Sequence, residues 1–188
     1  MTQDITRMYD THQHARDAVN GLKTHGFTDD QISLLAPAKE PADNPVVEES
    51  AAAEGAGLGA GVGGALGAGA GLLTGLGLMA IPGVGPVVAA GWAAATAVGA
   101  LAGAVAGGAT GGIVGSLMEG GVSEEDAHVY AEGVRRGGTL VTVRPTDDLA
   151  PEAIRILDSF DPIDPATRRT EYQRDGWERF DDKAPPLV

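Results

Sequence analysis

The chain has no cysteine in 188 residues, few aromatics and, over a long central stretch, no charge at all. Without cysteine there is no disulfide, no thiolate nucleophile, no zinc–thiolate site and no iron–sulfur cluster. Two Trp, three Tyr and three Phe are too few for a platform on which single-stranded bases stack. Cations are short as well, with 13 Lys and Arg against 26 Asp and Glu and a formal net charge of −13. A duplex demands a basic face, so nucleic acid is not expected as a partner. The N-terminus MTQDITRMYD lacks the basic start and apolar run of a secretory signal, which leads to the expectation of a cytoplasmic protein.

The charges that exist sit at the two ends. Residues 1–54 hold ten acids and four bases, and residues 119–188 hold sixteen acids and nine bases. The 64 residues from Gly55 to Met118 hold none, and no histidine. A soluble surface normally shows a charge every few residues, so the chain reads as polar, apolar, polar.

In the apolar part the glycines keep a fourfold spacing. Gly55, Gly59, Gly63, Gly67, Gly71 and Gly75 form one series; Gly91, Ala95, Gly99, Gly103, Gly107, Gly111 and Gly115 form another. Residues four apart share one face of an α-helix, so each half would present a strip nearly free of side chains, suited to close backbone approach. Between them, Ile81-Pro82-Gly83-Val84-Gly85-Pro86 predicts a tight turn that stops the first helix. The expectation is an antiparallel helical hairpin over residues 55–118. A helix over 55–81 would be about 40 Å long, enough to cross a hydrocarbon core of about 30 Å. Yet that arm has eleven glycines against six leucines, and Glu48, Glu49, Glu54 and Glu119 flank the hairpin where cationic anchors are usual. Eleven glycines also weaken a lone helix in water, at about 1 kcal/mol each relative to alanine. An all-round apolar hairpin therefore calls for burial against further copies of the chain or against lipid.

The polar ends read as one domain. Ile5–Tyr9 is a strand; Thr11 caps a helix with Ala15, Ala18, Val19 and Leu22 on one face, and Gly26 closes it. Ile32–Leu35 is a second strand, followed by a Pro- and Glu-rich linker over 37–54. After the apolar part, Ser123 caps a helix with Glu124, Glu125 and Asp126 in its first turn, and Arg135-Arg136-Gly137-Gly138 ends it. Thr139–Val143 is a strand, a helix lies near 147–160, and 161–165 supplies at most an edge strand because of Pro162 and Pro165. Neither end has enough apolar residues for a core alone. Together, 1–36 and 121–165 suit a split ferredoxin-like α+β sandwich, β-α-β then β-α-β, with the helical hairpin inserted. Residues 166–188 form a polar tail in which Tyr172, Trp177 and Phe180 suggest docking on a neighbouring molecule.

Chemistry-bearing motifs are few. Gly59-Ala60-Gly61-Val62-Gly63-Gly64 fits G-x-G-x-x-G, but follows no predicted strand and has no acid about 20 residues downstream. His12 and His14 point to different helix faces and are poorly placed to share a metal. The acid pairs Asp29-Asp30, Glu124-Glu125, Asp147-Asp148 and Asp181-Asp182 sit at helix starts or in the tail, where capping and solubility account for them. Arg135-Arg136 lies at a helix C-terminus, where cations complement the dipole. No catalytic residue, metal site or cofactor is expected.

Three blocks carry a family resemblance: Phe27-Thr28-Asp29-Asp30-Gln31-Ile32-Ser33-Leu34-Leu35, the Ile81–Pro86 turn within the hairpin, and Tyr130-Ala131-Glu132-Gly133-Val134-Arg135-Arg136-Gly137-Gly138 before a Val-rich strand. In this combination, over roughly residues 4–160, the chain resembles the bacterial heat-induced general stress protein family of the YflT type. The resemblance implies a stress-induced, non-secreted protein without an established catalytic activity or cofactor, and it transfers no site residue. The leading expectation is a non-enzymatic structural protein that forms homo-oligomers through the glycine series and the Ile81–Pro86 turn. An alternative is the same hairpin inserted in the inner membrane. A weaker one is a ligand-sensing or enzymatic ferredoxin-like domain.

Overall fold

The computed structural model describes residues 4–37, 77–81, 84–91, 112–184 and 187. In chain order these form β1 (Ile5–Tyr9), α1 (His12–Thr24), β2 (Ile32–Pro37), β3 (Gly77–Ile81), β4 (Gly85–Gly91), α2 (Ile113–Glu119), α3 (Glu124–Arg135), β5 (Thr139–Val143), α4 (Ala150–Asp158) and α5 (Pro165–Arg174). The class is α+β. The sheet order is β1-β5-β2-β4-β3, with every neighbouring pair antiparallel.

β1 and β2 are joined through α1 and leave one place between them, which β5 fills. Ile5 to Tyr9 runs against Val143 to Thr139, and Ile32 to Leu35 runs against Val143 to Leu140. All five residues of β5 are consequently buried. The period-two alternation of a strand sends Tyr9, Val141 and Val143 to one face, and Met8 and Leu140 to the other. On the first face α1 and α4 supply Ala15, Ala18, Val19, Leu22, Ala153, Ile156 and Leu157. On the second, α3 supplies Val129, Tyr130, Ala131 and Val134. Inside the sheet, the Thr6 and Thr142 hydroxyls satisfy each other at 3.0 Å.

Local signals set the helix ends. The Thr11 hydroxyl accepts from the His14 amide and the Ser123 hydroxyl from the Asp126 amide. Four helices stop by one device, a left-handed glycine with paired hydrogen bonds back into the last turn. At the end of α3, Gly137 has φ +105°, and Gly138 N–H donates to Gly133 C=O at 2.8 Å. Gly26, Gly121 and Gly176 do the same for α1, α2 and α5.

One expectation needs correction. Within the anticipated helical hairpin, Gly77–Ile81 and Gly85–Gly91 are strands, not helix, and they close as a β-hairpin in which Ile81 faces Gly85. The reason is the open flank of β2, whose backbone groups need partners. β4 satisfies them over five register pairs, Ser33 with Gly91 to Pro37 with Val87. Val87 and Val88 are β-branched and suit a strand, while Pro86 lies near its start, where proline is tolerated. The tail, expected to be polar and to dock on a neighbour, also has a place on its own chain. Residues 165–174 form α5, capped by Asp164, and Tyr172 and Phe180 are buried against this chain's own α3 face. Residues 161–165 contribute a single bridge, Ile163 to Met8, at the outer side of β1.

Candidate self-association site

The site to which the sequence points is the apolar part, and the structure fixes where it joins the domain. Gly77 faces Ala89 across the β3–β4 ladder, two residues from Gly91. The stretch preceding β3 therefore arrives, and the stretch following β4 departs, at the same end of the hairpin. Adjacent strands lie about 4.8 Å apart, so the start of β3 and the end of β4 lie close together at that end. The reversal expected at Ile81–Pro86 is thus present, made by strands. Val84 is fully buried in the second-face core beside Val87. Pro82 and Gly83 lie outside the described residues, as do Gly55, Gly59, Gly63, Gly67, Gly71, Gly75, Gly99, Gly103, Gly107 and Gly111.

Two glycines of the series can be placed. Gly115 lies in the seven-residue α2. Gly91 ends β4 with φ +78°, and a Cβ built on it would collide with the Ile32 carbonyl oxygen. Its role in the domain is close approach between neighbouring strands, independent of any helix packing. Among the neighbouring side chains, Ala90 enters the core beneath α1, and Val87 enters the core beneath α3. β4 is therefore held from both sides of the sheet.

The docked tail forms a second arrangement that sequence reasoning missed. Its centre is Glu132, fully buried on α3, with Oε1 at 2.7 Å from Arg136 Nε and Oε2 at 3.2 Å from Arg135 Nη1. The Arg136 guanidinium lies 4.4 Å over the Tyr172 ring, and Trp177 meets the same ring edge-on at 5.5 Å. Arg169 reaches Asp126 at 2.7 Å and Glu125 at 3.0 Å, and Arg168 reaches Asp10 at 2.7 Å. The acids at the start of α3 thus complement the helix dipole and also hold α5. Arg135-Arg136 clamps a buried carboxylate at the other end of the same helix. The i, i+3 and i, i+4 spacing of Glu132 to these arginines is visible in sequence; its burial is not.

The ionisable groups follow their surroundings. Burial is the main cause that pushes the Tyr9 phenol well up, and the Tyr9 hydroxyl donates to the Leu157 carbonyl at 2.9 Å. Burial likewise pushes Tyr130 up to about 12. His128 is lowered by burial and then by Arg179, against the opposing pull of Glu124. His12 is lowered by burial and by Arg16. Among the described residues no three His, Asp or Glu side chains stand close enough to hold a metal ion. Among the described residues, too, no helix is long and apolar enough to cross a membrane.

Compared with family models, curated proteins and solved structures, the chain matches none of them.

Proposed function

We propose that this is a non-enzymatic structural protein that assembles with copies of itself through its uncharged glycine-rich stretches, serving a bacterial stress response as the resemblance of its three sequence blocks implies. The observation that carries the reading is the shared exit at the β3–β4 hairpin. There the two charge-free, glycine-spaced stretches of the sequence join a charged domain with helices packed on both faces of its sheet. A small apolar area per residue disfavours either stretch standing alone in water, and close packing among copies removes that cost. The domain fits this role as a soluble cover, with ion pairs on its surface. We read it as ferredoxin-like, β1-α1-β2 followed by β5-α4 and the Ile163 bridge, with β3, β4, α2 and α3 between the halves.

The test is assembly size by light scattering for the wild type and for Gly63→Leu and Gly103→Leu. Close packing at the glycine series predicts loss of the assembly in both. An unchanged size overturns the reading. Flotation of a detergent-free lysate provides the second arm: lipid-free particles that stay dense support assembly among copies, and protein that rises with lipid favours insertion in a membrane.

A further inference from the structure

We infer that the C-terminal segment from Pro162 to Ala184 exchanges between two copies of this chain, each docking its α5 on the α3 face of the other. The first observation is the connector between α4 and α5. Asp161 has φ +52°, the one non-glycine residue with positive φ among the described residues, and it precedes Pro162. Aspartate is one of the few L residues that enter the left-handed region, still at a cost, and a residue before proline favours φ near −120° in an extended chain. Folding the segment back onto its own domain therefore holds Asp161 in strain, and extending the connector relieves it.

The second observation is that the segment is a self-contained unit. Asp164 caps α5 at its start, with its carboxylate accepting from the Thr167 amide at 2.9 Å, and Gly176 closes it. Tyr172 is its one fully buried residue, with Pro165, Arg168 and Arg169 half-buried. Docked on a second copy, it keeps the same internal hydrogen bonds and the same solvated side. What holds it is one set of contacts: Ile163 N–H to Met8 C=O at 2.8 Å, Arg168 to Asp10, Arg169 to Asp126 and Glu125, Arg136 to Asp175 and over the Tyr172 ring, and Tyr172 and Phe180 against α3. A second copy offers the identical set, so exchange gives up no contact and removes the strain at Asp161. The inference rests on the self-association reading, because assembly supplies the local concentration at which a neighbour's groove competes with the chain's own.

The absence of native cysteine makes the test direct. Residues paired in an antiparallel bridge have Cα atoms about 4.5–5.5 Å apart, within disulfide range. Met8→Cys and Ile163→Cys are made in separate chains, co-expressed and oxidised, and the product is read on a denaturing non-reducing gel. Exchange predicts a covalent dimer, and a several-fold weaker dimer band when Asp161→Gly is added to both chains. Absence of the dimer, while the double variant cross-links within one chain, overturns the inference. If cysteine at buried Met8 prevents folding, charge reversal decides. Arg169→Glu in one copy and Asp126→Arg in the other each lower the melting temperature alone. Exchange predicts recovery on co-expression; two unshifted low transitions overturn it. Light scattering of the same samples under reducing conditions reports assembly separately, so a lost dimer band with intact particles counts against exchange and leaves self-association standing.

Discussion

A side chain on Gly91 would enter the space of the Ile32 carbonyl oxygen, on the strand that runs alongside. Its φ of +78° adds a second penalty for any L side chain. Because the obstacle is backbone, it cannot turn aside. Gly91→Ala should therefore destabilise the domain by about 3 kcal/mol, combining backbone strain with overpacking. Gly26→Ala is the control: its φ is +91° but nothing lies within 4 Å of the added Cβ, so only the left-handed penalty of about 1 kcal/mol applies. Urea unfolding of both variants checks the difference. Equal losses would mean that β4 does not seat against β2 in this register.

Glu132 offers a second test. Its removal leaves Arg135 and Arg136 without the carboxylate that both hold. Breaking a buried ion pair from one side costs about 3–5 kcal/mol, and Glu132→Ala is expected in that range. Thermal melting would reveal it. A loss below about 1 kcal/mol, the level of a surface pair, would show that the clamp is solvated.

The docked tail predicts a spectroscopic change. Tyr172→Ala removes the ring that Trp177 and Arg136 both contact, and should cost about 3 kcal/mol as a buried aromatic truncation. Trp177 should move into water and its emission to longer wavelength. An unchanged spectrum would separate Trp177 from the α5 dock.

His128 sets the sign of a pH effect. Its pKa is lowered in the folded chain from an ordinary 6.5, chiefly by burial, so the unfolded chain binds more protons in the range below that value. Its neutral form favours folding fully above the unfolded pKa, and stability should fall as the medium is acidified from about pH 7.5 to about pH 5.5. His128→Gln should flatten that slope. A wild-type stability that rises on acidification over this interval would contradict the direction.

How much of this could be read from the sequence depended on how local the determinant was. Thr11, Ser123, Gly26 and Gly137 act on the turn in which they stand, and each caps or closes its helix as its residue type dictates. β1 and β5 were legible with their bounds, because short stretches rich in β-branched and large apolar residues stand between turn signals. β3 and β4 were not. The fourfold glycines on either side of them point to helix, while the deciding factor was the unpaired flank of β2, which becomes visible only once the sheet exists. α5 carried its signal openly in Asp164, Pro165 and Thr167, an N-cap followed by a first-turn proline. Periodicity does not reveal it, because a helix with one buried residue shows no apolar face. The candidate site divided in the same way. The absence of charge in the central stretch was plain, whereas the point at which it joins the fold required the register of the β3–β4 hairpin.

That hairpin imposes a parity rule. The stretch between Gly91 and Gly112 is tethered at both ends, since β4 lies in the sheet and α2 packs Ile113 into the α3-side core. A path that leaves one body and returns to it on the same side of a bilayer must cross an even number of times. Residues 92–111 amount to about 30 Å of helix, a single crossing. The other excursion, between Pro37 and Gly77, gains its second crossing only by carrying Lys39, Glu40, Asp43, Glu48, Glu49 and Glu54 through hydrocarbon. For spanning helices the count would be odd where it must be even, which favours the proposed assembly among copies over insertion in a bilayer.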